Sequence, residues 1–155
     1  MLHKHSISTL LFTLAGSLLF LGACGTDHGH YSAIGVVLSV DGQMIAAQEQ
    51  ENITYADGDA ISVPAGATTE TITVEFLGDD GTPFTPERSG YSLNYTIGNT
   101  DVLGITHPAE GDEWSFRLNG NQAGTTTIQF ELWHGGHSDF TSRAFQVRVE
   151  DSEND

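Results

Sequence analysis

From Tyr31 onward the sequence predicts an all-β fold, an antiparallel β-sandwich. Three observations lead there. Apolar residues recur at every second position in short runs, and turn-forming clusters of Gly, Pro, Asn and Asp separate those runs. No helical spacing of apolar residues follows position 24. A strand of period two buries one face and leaves the other to solvent, so short alternating runs are what two facing sheets require.

The elements follow in chain order. Val36, Leu38 and Val40 alternate up to Asp41-Gly42, and Gln43–Gln48 leads away, which predicts a hairpin closed by a two-residue turn. Ile72, Val74 and Phe76 alternate with Thr71, Thr73 and Glu75. Leu93, Tyr95 and Ile97 alternate with Asn94 and Thr96. The same rhythm predicts strands at Trp114-Phe116-Leu118, at Ile128-Phe130-Leu132 and at Phe145-Val147-Val149. Pro64-Ala65-Gly66, Gly78-Asp79-Asp80-Gly81, Gly98–Asp101, Pro108–Gly111 and Asn119-Gly120-Asn121 break the chain between them.

Residues from about Ile61 to Val149 resemble a bacterial Ig-like (Big-type) domain. The resemblance is carried by Val63-Pro64-Ala65-Gly66 before a strand, by Tyr95-Thr96-Ile97-Gly98-Asn99-Thr100-Asp101-Val102-Leu103-Gly104-Ile105, and by Leu118–Gly124 feeding the Thr-rich segment Thr125-Thr126-Thr127-Ile128. It implies an Ig-like β-sandwich and a role in binding, adhesion or spacing rather than catalysis. The hairpin at residues 34–50 is extra to that family's pattern, so the expected architecture is an Ig-like sandwich with an additional N-terminal β-hairpin.

The N-terminus carries a different signature. A short basic start (His3, Lys4, His5) precedes an apolar run from Ile7 to Phe20, and Leu21-Gly22-Ala23-Cys24 closes it. Basic, apolar and small-residue regions in that order are the physical marks of a secretory signal peptide. Cys24 is the one cysteine of the chain. The segment resembles a bacterial lipoprotein signal, which implies acylation of Cys24 and cleavage before it. An ordinary signal peptide with a chance cysteine, or a membrane anchor, are the alternatives; the run is short for a membrane span. The expected organisation is a signal at 1–23, a lipidated Cys24 with a tether to residue 31, the sandwich at 32–150 and an acidic tail at 151–155. Gly25 stands where Asp retains many lipoproteins at the inner membrane, which favours the outer membrane in a two-membrane cell.

Charge narrows the partners. The formal net charge is −16, with 21 acidic residues. Cleavage would remove the one lysine, leaving Arg88, Arg117, Arg143 and Arg148. That balance excludes nucleic acid, whose phosphates demand a basic face. It also disfavours direct contact with an anionic membrane surface, leaving anchoring to the lipid. Solubility or a salty habitat accounts for the acidity better than a dedicated cation-gathering role does.

The constellation with chemical potential is the histidines. His28-Gly29-His30 lies just after the expected anchor, and His134-Gly135-Gly136-His137 lies between two late strands. Alternate residues of an extended segment project to one side, so His28 and His30 can share a ligand. The two glycines let His134 and His137 fold toward each other. Four neutral imidazoles, or three with Asp139 or Asp27, suit Zn²⁺; Cu²⁺ and Ni²⁺ also favour imidazole. In an Ig-like sandwich the approach to the first strand and the loop joining late strands can share one end of the body. The two pairs are therefore expected to meet there. Otherwise both are solvated loop residues.

Other candidates are weaker. Asp57-Gly58-Asp59 and Asp79-Asp80-Gly81 lack the ligand intervals of a calcium loop. His107, before Pro108, reads as a turn residue, and Trp133 falls on the outward face if Leu132 is core. No nucleophile motif is present, so no enzyme is expected. The expectation is thus a lipid-anchored envelope protein that binds zinc through His28, His30, His134, His137 and Asp139, serving metal capture for an outer-membrane transporter or another envelope protein. The competing expectation is an adhesion or structural module for a protein or glycan.

Overall fold

The computed structural model describes residues 30–151. The signal, Cys24, Asp27 and His28 lie outside the described residues. Twelve strands form two facing sheets, and no described residue is helical. The first sheet runs β3 (Asn52–Tyr55), β2 (Gln43–Glu49), β1 (Gly35–Val40), β5 (Ile72–Leu77), β9 (Ser115–Gly120), β8 (Leu103–Thr106), with the short β6 (Pro83–Phe84) also on β5. The second runs β11 (His137–Thr141), β10 (Gly124–His134), β12 (Phe145–Glu150), β4 (Ile61–Pro64), with β7 (Tyr91–Ile97) on the other edge of β10. The predicted all-β sandwich is the fold. One pairing departs from the antiparallel rule: β4 runs parallel to β12, Val63 opposite Val149.

The period-two rows meet between the sheets. Leu38, Val74, Phe76, Phe116 and Leu118 from one sheet pack with Ile128, Phe130, Leu132, Phe145 and Val147 from the other, all 0% exposed. The N-terminal hairpin is closed as expected, with Asp41 and Gly42 both at positive φ, the twist that suits antiparallel neighbours. It extends the first sheet through β1–β5 pairing and adds β3 as an outer edge, so it is integral to the domain.

Tyr95 departs from the expected burial. It shares the inward row of β7 with Leu93 and Ile97 yet is 36% exposed. β7 is an edge strand, so the far sheet does not cover that position; the Tyr95 ring instead meets the His107 ring edge-on at 5.7 Å. His107 itself lies within hydrogen-bond distance of the Glu113 carbonyl, Nε2 to O 2.9 Å, as a turn residue.

Two details tie the sheets to the strands that lead to the His134–His137 turn and to β1. β11 and β12 both pair with β10, and the chain breaks step between them at Ser142–Ala144. The break is satisfied from both sheets: Phe130 N–H donates to Ser142 Oγ at 2.9 Å, and Arg143 N–H donates to Gln48 Oε1 at 2.6 Å. The start of β1 is equally tight. A Cβ on Gly35 would fall 2.0 Å from the Gln48 carbonyl oxygen. Gly35→Ala must therefore push β1 from β2 and is expected to cost about 1–3 kcal/mol, read as a lower urea midpoint.

Candidate metal centre

The inward row of β10, Ile128-Phe130-Leu132, continues one step beyond the core to His134. In register with it, β7 ends its own inward row at Tyr91. The two rings stack at 4.1 Å and 7° between planes, so His134 is shielded by an aromatic face. Gly135 (φ 57°) and Gly136 (φ 97°) then turn the chain, and His137 pairs with His134 at the start of β11. Positive φ at two successive positions is the demand that the glycines meet. Asp139 follows on β11.

From the other end of the chain, Ile34 N–H donates to the Leu77 carbonyl at 2.8 Å, and Tyr31 stacks on Phe84 at 5.1 Å. Tyr31 N–H also donates to the Tyr91 hydroxyl at 3.2 Å. These contacts bring His30 against the β10–β11 turn. Its ring lies 5.3 Å from that of His134 and 5.6 Å from that of His137.

Asp139 is the hub. Its side chain is 5% exposed, and its two oxygens accept from His30 Nδ1, each at 3.1 Å. His137 Nε2 lies 2.9 Å from Oδ1 and His134 Nδ1 3.6 Å from Oδ2. Burial pushes the carboxyl pKa up, but the hydrogen bond and charge of His30, the Tyr91 hydroxyl and the charge of His137 outweigh it and hold the group below its ordinary value. Tyr91 is shifted upward, first by burial and then by the neighbouring carboxylate. It stays protonated and hydrogen-bonds Asp139.

One donor atom of the cluster, one per residue from His30, His134, His137 and Asp139, lies within 4.8 Å of every other. Of the expected ligands, these four are brought together; His28 lies outside the described residues. The donor set fits a transition metal on three counts. Three imidazoles and a carboxylate are borderline ligands of the kind that Zn²⁺ takes. Zinc bonds of about 2.0–2.1 Å place tetrahedral donors about 3.3 Å apart; His30 Nδ1 and His134 Nδ1 stand 3.1 and 3.6 Å from Asp139 Oδ2, and His137 Nε2 stands 2.9 Å from the other oxygen, Oδ1. His134 Nδ1 is buried without a hydrogen-bond partner and faces the cluster. A buried polar nitrogen left unpaired is costly, and a metal ion is one way to satisfy it.

Tyr91 is the residue that sequence reasoning missed. Its signal was present, because Tyr91-Leu93-Tyr95-Ile97 is one period-two row, but its alignment with His134 depends on the β7–β10 register. The weaker candidates have local partners: Asp59 pairs with Arg148 at 2.8 Å, and Asp80 Oδ1 accepts from Thr82 N–H at 2.9 Å within its turn. Trp133 is half-buried beside the site.

No protein-family model matches the chain, and no curated protein does. Among solved structures, the chain is similar to domains 4 and 5 of the S-layer protein SbsC, at 18% identity and a TM-score of 0.38. The match covers 67% of this chain and 63% of that one.

Proposed function

We propose that the protein is a lipid-anchored, non-catalytic module of a bacterial cell envelope that binds a transition metal, zinc foremost, through His30, His134, His137 and Asp139. The observation that carries the reading is the unpartnered, buried Nδ1 of His134 facing a carboxylate that already gathers two other imidazoles. Four protein donors fill a tetrahedral shell, the arrangement of a holding site rather than a hydrolytic one, which keeps a position for water. The lipoprotein-like Leu21–Cys24 supplies the anchor and the outer membrane the place. His30 follows Cys24 by only six positions, so the bound ion would lie near the membrane, within reach of an outer-membrane transporter that takes it up.

An adhesion role built on aromatic contacts asks for a contiguous exposed aromatic patch. The exposed large hydrophobics among the described residues are Met44 and Tyr95, which stand on different sheets. Scattered single residues of this kind are ordinary surface.

Calorimetric titration of Zn²⁺ into the full chain in detergent, carrying Cys24→Ser so that no thiol competes, tests the reading. One equivalent is expected to bind at about micromolar affinity or better, unchanged between low and high salt, and to be lost in a His134→Ala/His137→Ala variant. Weak uptake that salt abolishes would assign the binding to the acidic surface and overturn the site.

A further inference from the structure

The four donors are not equivalent. Three of them, His134, His137 and Asp139, lie on one hairpin whose Gly-Gly turn and pairing hold them in a fixed relation. The fourth, His30, is 109 positions away from Asp139, on a segment that precedes the first strand. Burial does not follow this division, since the Asp139 and His134 side chains are 5% and 18% exposed and those of His30 and His137 are 52% and 57%; the difference lies in the chain, which fixes His137 by the β10–β11 pairing and leaves His30 outside any strand. Tyr91 stacks on His134 and hydrogen-bonds Asp139, bracing the hairpin half. The contacts of Tyr31 with Phe84 and Tyr91 keep the other half close without making its imidazole part of the core.

From this asymmetry, and resting on the metal-binding reading above, we infer that His30 is the exchange ligand of the site. The hairpin is a three-donor half-site that holds the ion by itself, and His30 closes the fourth position from a separate segment of the chain. The metal passes to an acceptor bearing a neutral imidazole, the class of donor that His30 itself supplies. In that step the bond from the ion to His30 breaks as the bond to the incoming imidazole nitrogen forms. The charge and oxidation state of the ion do not change, and no proton moves. His134, His137 and Asp139 retain the ion until further acceptor donors replace them. A tethered ligand of this kind raises affinity through its high effective concentration and still yields its place to an external one.

The test is Zn²⁺ affinity, measured by competition with a chromogenic chelator, for the full chain and its His30→Ala and Asp139→Ala variants, with and without millimolar imidazole. A Co²⁺-loaded sample reports ligation through its visible absorption, and circular dichroism confirms that each variant is folded. His30→Ala is expected to bind one equivalent about a hundredfold more weakly. Imidazole is expected to return its affinity and Co²⁺ spectrum toward those of the unsubstituted chain, and to leave Asp139→Ala unrescued. Unchanged affinity in His30→Ala would show that His30 is no ligand and overturn the inference while the metal site stands. Complete loss without rescue would show that the hairpin cannot hold the ion, with the same consequence. Failure of the unsubstituted chain to bind Zn²⁺ would remove the metal-binding reading itself, and this inference with it.

Discussion

Zinc at a hundredfold excess over its dissociation constant is expected to stabilise the folded protein by about 2.7 kcal/mol, a rise of about 8–14 °C in melting temperature for a domain of this size. The ion would join two parts of the chain that meet only in the folded state: His30 ahead of β1, and the β10–β11 hairpin. The unfolded chain does not hold these donors together, so binding energy becomes folding energy. Scanning calorimetry with Zn²⁺ and with a chelator gives the shift directly. In the His134→Ala/His137→Ala variant it is expected to vanish. An equal rise in that variant would mean that zinc acts on the acidic surface at large. Acidification is expected to reduce the zinc effect, because imidazole binds metal only when deprotonated.

Phe130→Ala is expected to destabilise the protein by about 3–5 kcal/mol, a large part of the roughly 5–15 kcal/mol that holds a domain together. Phe130 is 0% exposed and sits midway along β10. Its ring lies 5.1 Å from that of Phe116 across the sandwich and 6.1 Å from that of Phe145 on the adjoining strand. Truncation would open a cavity bordered by both sheets, and rings held by their own strands cannot collapse far into it. Urea denaturation should show a much lower midpoint with an unchanged slope. A loss below 1 kcal/mol would mean that the two sheets are packed far more loosely than their burial indicates. His134 lies on the same inward row four positions on, so the variant is also expected to weaken zinc binding through the fraction of unfolded chain.

Much of the fold was legible because a strand writes its burial into every second residue. Val36-Leu38, Ile72-Val74-Phe76, Ile128-Phe130-Leu132 and Phe145-Val147-Val149 each declare an inward row, and all of these residues are buried. Asp41-Gly42 declares its turn for an equally local reason, since few residues tolerate positive φ. In β3, β4 and β8 the row is only two residues long, Ile53-Tyr55, Ile61-Val63 and Leu103-Ile105, and β6 and β11 carry none. These strands are at most five residues long, and they owe their existence to a neighbouring strand that supplies hydrogen-bond partners. The parallel pairing of β4 with β12 is of the same kind, linking residues more than eighty positions apart.

The candidate site divides along that line. Residue type and spacing by themselves determined which side chains were suited to a metal, because imidazole chemistry and the Gly-Gly turn are properties of a few consecutive residues. Only the tertiary structure decided that Asp139 is the hub, that Tyr91 lies under His134, and that His30 reaches both. Those facts depend on strand register and on where a distant segment crosses the end of the sandwich. They arise from pairings summed over the whole domain, which no short stretch of sequence contains.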